Sequence, residues 1–135
     1  MIDEEALKKI KLNLNTAIKA EEGELHIAID SHGGELRTAQ IIMEMLLNAP
    51  IPICTYNIGK VESAAVIVFR GGNKRLVTPG ATFMIHAPKR PFAGTPTKLQ
   101  LQEIQSSLKS DADRLWGFFE KCFACDCEPF KNDYY

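Results

Sequence analysis

The sequence predicts an α/β fold with a largely parallel sheet, and three observations lead there. Helical and strand-like segments alternate along the chain, glycine or proline separates them, and 135 residues with 45% hydrophobic and 24% charged residues suit one globular core. No repeat, low-complexity segment or linker divides the chain, so residues 1–135 are expected to form a single domain.

The elements follow in order. Leu7, Ile10, Leu14 and Ala17 recur at spacings of three and four between Asp3 and Ala20, with acids in the first turn, which predicts an amphipathic helix. Leu25, Ile27 and Ile29 alternate with His26, Ala28 and Asp30, a strand that Gly33 and Gly34 end. His26 is expected to be buried or paired, and His32 to lie in the glycine turn. A second helix, rich in Ile, Met and Leu, spans 35–48 and is stopped by Pro50 and Pro52. A short strand over 53–57 is expected to reach a sharp turn at Gly59 that leads into an apolar helix from Ser63 to Phe69, closed by Gly71 and Gly72. Two further strand-like runs, 74–78 and 82–85, flank Pro79 and Gly80, an irregular stretch covers 89–96, and one long helix is predicted from Thr97 to Lys121.

Composition excludes several function classes. A formal net charge of −1, from 16 basic and 17 acidic residues, supplies no general field for nucleic acid or anionic lipid. The apolar runs are too short to cross a bilayer, and the chain opens on Asp3, Glu4 and Glu5 rather than a basic and apolar leader, so a cytoplasmic protein is expected. Cys122, Cys125 and Cys127 crowd together without a nearby histidine or a second ligand pair, and reduced thiols are expected there rather than zinc.

Three short segments carry reactive groups. In Gly59-Lys60-Val61-Glu62-Ser63-Ala64-Ala65 a serine stands where a strand turns into a helix. There the first helical N–H groups are free to hold an anion; the bland alternative is a simple N-cap. The Gly-x-Ser-x-Gly elbow of α/β-hydrolases is absent, because Val61 and Ala65 hold the glycine positions. His86 ends the run Phe83-Met84-Ile85-His86, at the strand end where open sheets carry reactive groups. Asp30-Ser31-His32-Gly33-Gly34 offers two glycines where the backbone takes positive φ or approaches another group closely.

Together, in this order and spacing, these segments resemble the motifs of the Clp protease proteolytic subunit, over nearly the whole chain. The resemblance implies the crotonase-like ββα spiral. It implies Ser63 as nucleophile and His86, 86 − 63 = 23 residues later, as general base. The N–H groups of Gly33 and Ala64 would form the oxyanion hole. Asp133, in a C-terminal segment similar to the one that carries the family's aspartate, would orient the histidine, with Asp126 as the fallback. Acyl transfer of this kind needs no metal and no other cofactor. The implied substrate is a peptide or unfolded protein. Residues 91–96 and the helix after them are similar to the handle through which the family's rings pack, so a homo-oligomeric ring is expected and an ATP-driven unfoldase is admitted as partner.

The chain departs from the family in ways that carry their own expectations. Glu62 stands where relatives usually have alanine, and it is expected to pair with Lys60 or to act electrostatically on His86. Ala64 replaces a usual methionine, which leaves a main-chain donor in place. The chain is also expected to be short at both ends relative to the family. Three alternatives remain: an inactive ring scaffold, an acyl-CoA enzyme of the same fold, and a serine–lysine dyad using Lys60 or Lys74.

Overall fold

A computed structural model of the chain describes residues 1–89 and 94–122, with the side chains of 118–122 left aside. Pro91, Cys125, Asp126, Cys127 and Asp133 therefore lie outside the described residues. Contacts gather the chain into two compact units, Met1–Ile85 and His86–Tyr135.

The first unit opens with helix α1, Glu4–Lys19. Asp3 caps it by accepting the Ala6 N–H at 2.9 Å, and Glu4 and Glu5 stand at the positive end of its dipole. Leu14 and Ala17 are buried on the face that the spacing foretold. Strand β1, Leu25–Ser31, alternates as predicted, with Ile29 buried and Ala28 and Asp30 exposed. Helix α2, Leu36–Leu47, buries Ala39, Ile42, Met43 and Leu46 along one stripe.

Strand β2, Ile53–Glu62, is twice the expected length and corrects the turn predicted at Gly59. The chain runs straight through Gly59 because this glycine serves close approach instead. A Cβ built there would lie 2.8 Å from Asp30 Oδ1, which accepts the Lys60 N–H at 2.9 Å. The β1–β2 register accordingly jumps from Ile29↔Asn57 to Ser31↔Val61, so two residues of β1 span four of β2.

Helix α3, Ala64–Arg70, is apolar all round from Ala64 to Phe69 and every one of those residues is buried. It packs against α2 and β2, with Ile42, Leu46, Ile67 and Val61 among the fully enclosed side chains. Gly71 ends it in right-handed rather than left-handed conformation (φ −62°). Its lack of a side chain makes room for Leu46, whose Cβ would stand 3.0 Å from a Cβ there.

Strands β3, Lys74–Val77, and β4, Thr82–Met84, pair in turn with the first and second halves of β2. Every strand pairing among the described residues is parallel, as the alternation of elements required. Asn57, wholly buried, ties the halves together: its Nδ2 donates to the Thr82 carbonyl (2.9 Å) and its Oδ1 accepts the Gly59 N–H (3.1 Å). His26 is paired, as expected, but half exposed: Nδ1 meets the Tyr56 hydroxyl at 2.7 Å and Nε2 meets Glu24 at 2.8 Å. Hydrogen bonding with the Cys54 side chain, partial desolvation and the Glu24 carboxylate hold the Tyr56 phenol above its ordinary pKa.

The second unit contains helix α4, Lys98–Cys122, about 37 Å long at 1.5 Å per residue. Thr97 and Gln100 cap it reciprocally. The Thr97 N–H donates to Gln100 Oε1 at 2.9 Å and Thr97 Oγ1 accepts the Gln100 N–H at 3.3 Å. Among the described residues no helix is long and apolar enough to cross a membrane.

Candidate active site

Strand β2 ends at Glu62 and α3 begins at Ala64, so one residue, Ser63, makes the whole change of direction. It does so at φ 53°, ψ −125°, a conformation that non-glycine residues avoid and that costs of order 1–3 kcal/mol. The surroundings over-determine it. The Ser63 N–H donates to the Met84 carbonyl of β4 at 2.7 Å, and the Ser63 carbonyl accepts the Val66 N–H at 3.1 Å. The Ser63 side chain makes no cap hydrogen bond to α3, so the simple N-cap role is set aside.

Room for this bend comes from a neighbouring turn. Gly33 takes φ 96°, and a Cβ built on it would fall 2.8 Å from Ser63 Cβ, 2.8 Å from the Glu62 carbonyl oxygen and 3.1 Å from the Ala64 nitrogen. In an α/β-hydrolase elbow, glycines two residues either side of the serine supply that space. Here Val61 and Ala65 are buried in the core, and the space is borrowed from across the sheet. Gly33, Ser63 and the first amide of α3 therefore converge within the first unit. The Ala64 N–H is one of the donors a helix leaves unsatisfied at its start. The Gly33 N–H is held at long range, 3.2 Å, by Ser31 Oγ.

The turn is braced from its other side by Ile2, whose N–H donates to the Gly33 carbonyl at 2.9 Å and whose carbonyl accepts the Glu35 N–H at 2.8 Å. Glu62 does not pair with Lys60. Its Oε2 accepts from His32 Nδ1 at 2.6 Å, and its side chain is 16% exposed against 80% for the imidazole. This bond went unforeseen, although its signal was present: His32 immediately precedes Gly33 and Glu62 immediately precedes Ser63.

His86 opens the second unit. Its Nδ1 bonds the Ala87 carbonyl at 2.7 Å. A carbonyl only accepts, so Nδ1 is the donor in this bond, and in a neutral ring so bonded Nε2 is the nitrogen left to accept a proton. Asp133 lies outside the described residues, as said above.

The Clp protease family model matches residues 1–119. The chain belongs to the Clp protease family. Among curated relatives it is 28% identical over 102 residues to an ATP-dependent Clp protease proteolytic subunit 1 of Leifsonia xyli, covering 74% of this chain and 52% of the relative. It is 27% identical over 111 residues to the proteolytic subunit of Paracoccus denitrificans, covering 81% and 55%. The chain thus spans about half the length of these relatives. A solved ClpP1 mutant from Listeria monocytogenes superposes with a TM-score of 0.78 at 18% identity, over 98% of this chain and 73% of that one. That likeness establishes the ClpP-like α/β fold.

Proposed function

We propose that the chain is a serine endopeptidase subunit that hydrolyses peptide bonds through an acyl-enzyme on Ser63. The observation that carries this reading is the strained backbone of a serine at the head of a buried helix, with two main-chain amides beside it.

In the proposed cycle His86 Nε2 takes the Ser63 hydroxyl proton as the oxygen attacks the scissile carbonyl, and the carbonyl oxygen becomes an oxyanion. The N–H groups of Gly33 and Ala64 bond that oxygen. An anionic acceptor makes hydrogen bonds about twice as strong as a neutral one, so it displaces the long Ser31 Oγ contact at Gly33. His86 then returns the proton to the leaving amine, and water, deprotonated in the same way, releases the acid product. Asp133 takes over the Nδ1–H that the Ala87 carbonyl accepts in the isolated chain, and so holds the imidazole and stabilises its charged form. The choice of His86 as the base rests on the order and spacing of the motifs shared with the family.

The substrate in this reading is an unfolded protein or peptide. The working form is a homo-oligomeric ring fed by an ATP-driven unfoldase, by extension from family membership. An alkyl fluorophosphonate probe tests the chemistry. Mass spectrometry should find one adduct on Ser63, lost in Ser63→Ala and strongly slowed in His86→Ala. An assembled protein that takes no label would instead be a ring scaffold.

A further inference from the structure

We infer that the His32–Glu62 hydrogen bond is a positioning clamp that holds the Gly33 amide in register with Ser63 and the Ala64 amide. The inference rests on the serine peptidase reading for its catalytic consequence and on geometry alone for its structural one.

The ladder that would ordinarily fix the two segments shifts just ahead of them and resumes at a single pair, Ser31↔Val61. Between Ile29 and Ser31 the β1–β2 register jumps, and beyond Ser31 the chain leaves the sheet in a turn with two consecutive positive-φ glycines. Glycines have the widest backbone freedom, so such a turn drifts unless something outside it holds it. An oxyanion hole tolerates little drift, because a donor has to stand 2.7–3.1 Å from where the charged oxygen forms.

Beside the Ser31↔Val61 pairing, two bonds made by side chains cross from the β1 end to the β2 end. Asp30 Oδ1 accepts the Lys60 N–H (2.9 Å), which anchors the residue before the turn. His32 Nδ1 to Glu62 Oε2 (2.6 Å) anchors the turn itself, and it is the side-chain to side-chain bond joining these segments among the described residues. Each partner is the chain neighbour of a working residue, His32 of Gly33 and Glu62 of Ser63. Any change in this one distance is therefore passed through a single peptide unit on either side. The carboxylate is largely enclosed and the imidazole open to solvent, so Glu62 is the fixed post and His32 the arm that closes on it. Of the remaining ties on the turn, those from Ile2 pull on its carbonyl side, and the Gly33 N–H bond to Ser31 Oγ (3.2 Å) is internal to the turn, so neither spans the gap to Ser63.

The clamp acts on the orientation of an amide, so its loss lowers kcat and the rate of Ser63 acylation while leaving KM near its parent value. The experiment uses the full chain in its native assembly, with Glu62→Ala, His32→Ala, the double variant, and Glu62→Gln, which keeps an acceptor for the imidazole. Fluorophosphonate labelling and peptide hydrolysis should fall about tenfold in either alanine variant, a fraction of the hundredfold or more that one whole donor supplies. The double variant should fall no further than the worse single, and Glu62→Gln should recover most of the loss. Amide hydrogen exchange at Gly33, Gly34 and Ala64 should quicken in both alanine variants and not in Glu62→Gln. Labelling within twofold of the parent in both alanine variants, additive losses, or unchanged exchange at these amides would overturn the clamp. If the parent itself takes no label at Ser63, the peptidase reading fails, and the exchange rates alone then decide the clamp. His32→Ala, at a largely exposed position, guards against a mere folding defect in the Glu62 variants.

Discussion

Replacing Gly33 by alanine puts the largest demand on the arrangement around Ser63. The left-handed φ of 96° costs an L-residue about 1–2 kcal/mol, and forcing an extra methyl into a packed position costs about 1–3 kcal/mol more. Gly33→Ala should therefore destabilise the first unit by about 2–5 kcal/mol and lower the melting temperature by roughly ten degrees or more. The catalytic consequence follows from the same atoms. The new Cβ would stand 2.8 Å from Ser63 Cβ, and ordinary contact begins at 3.4 Å, so turn and serine separate by about 0.6 Å. On the proposed peptidase reading, a donor–oxyanion bond of about 2.9 Å would stretch to about 3.5 Å or lose its alignment, which would remove one oxyanion donor and lower kcat about a hundredfold. The assay is fluorophosphonate labelling of Ser63 with peptide hydrolysis, both at a temperature where circular dichroism shows the variant folded. Gly34→Ala is the control, because a Cβ there meets the Ile2 backbone rather than Ser63: it should lose stability while its folded fraction labels at near the parent rate. If Gly33→Ala labels within threefold of the parent, or if the two variants lose labelling in parallel, the convergence of Gly33 on Ser63 has no catalytic meaning.

Further outcomes follow from other contacts. Gly59→Ala presses a methyl onto the Asp30 carboxylate and should cost about 1–3 kcal/mol in urea unfolding, with Asp30→Ala costing less, about 0.5–1 kcal/mol, because the Lys60 N–H it frees is exposed to water; a neutral Gly59→Ala would show that the strand merely tolerates glycine there. Ile42→Ala, at a fully enclosed position of α2, should cost about 2–5 kcal/mol, and a loss below 1 kcal/mol would contradict the packing described. Because the Tyr56 phenol is held above its ordinary value, its neutral form is favoured by the fold: that contribution is intact below about pH 10 and is lost as pH rises through the folded-state pKa. The 295 nm difference titration between the parent and Tyr56→Phe should accordingly show a midpoint above 10, and a midpoint at or below 10 would refute the assignment.

Most of the fold was legible because it is written in local periodicity. Spacings of three and four marked α1 and α4, apolar content and the prolines after it marked α2, each to within a residue or two, and alternation marked β1. What misled was glycine, which has two uses that a sequence does not separate. At Gly33 the expected positive φ is present. At Gly59 and Gly71 the backbone is ordinary and the missing side chain makes room for Asp30 and Leu46, so a turn was expected where β2 runs on, while Gly71 closes α3 as expected but without a positive φ. Those partners lie roughly thirty residues and twenty-five residues away in sequence, beyond what a local pattern reports.

The site was legible in its residue types but not in its couplings. Gly33, Ser63 and Ala64 stood out because each sits at a boundary between elements, where free amides and unusual φ are found. Glu62 was expected to look along its own strand to Lys60 or towards His86, yet it faces His32, thirty residues earlier. The reason is register: the jump after Ile29 brings Ser31 level with Val61, and the next residue on each strand is then His32 on one side and Glu62 on the other. A register break cannot be read from alternation alone, since two extra residues in β2 leave the inward and outward faces unchanged. The same shift that hid the pair from the sequence is what brings it together, because the ladder resumes at Ser31↔Val61 and ends there, leaving His32 and Glu62 as the next residues to face each other.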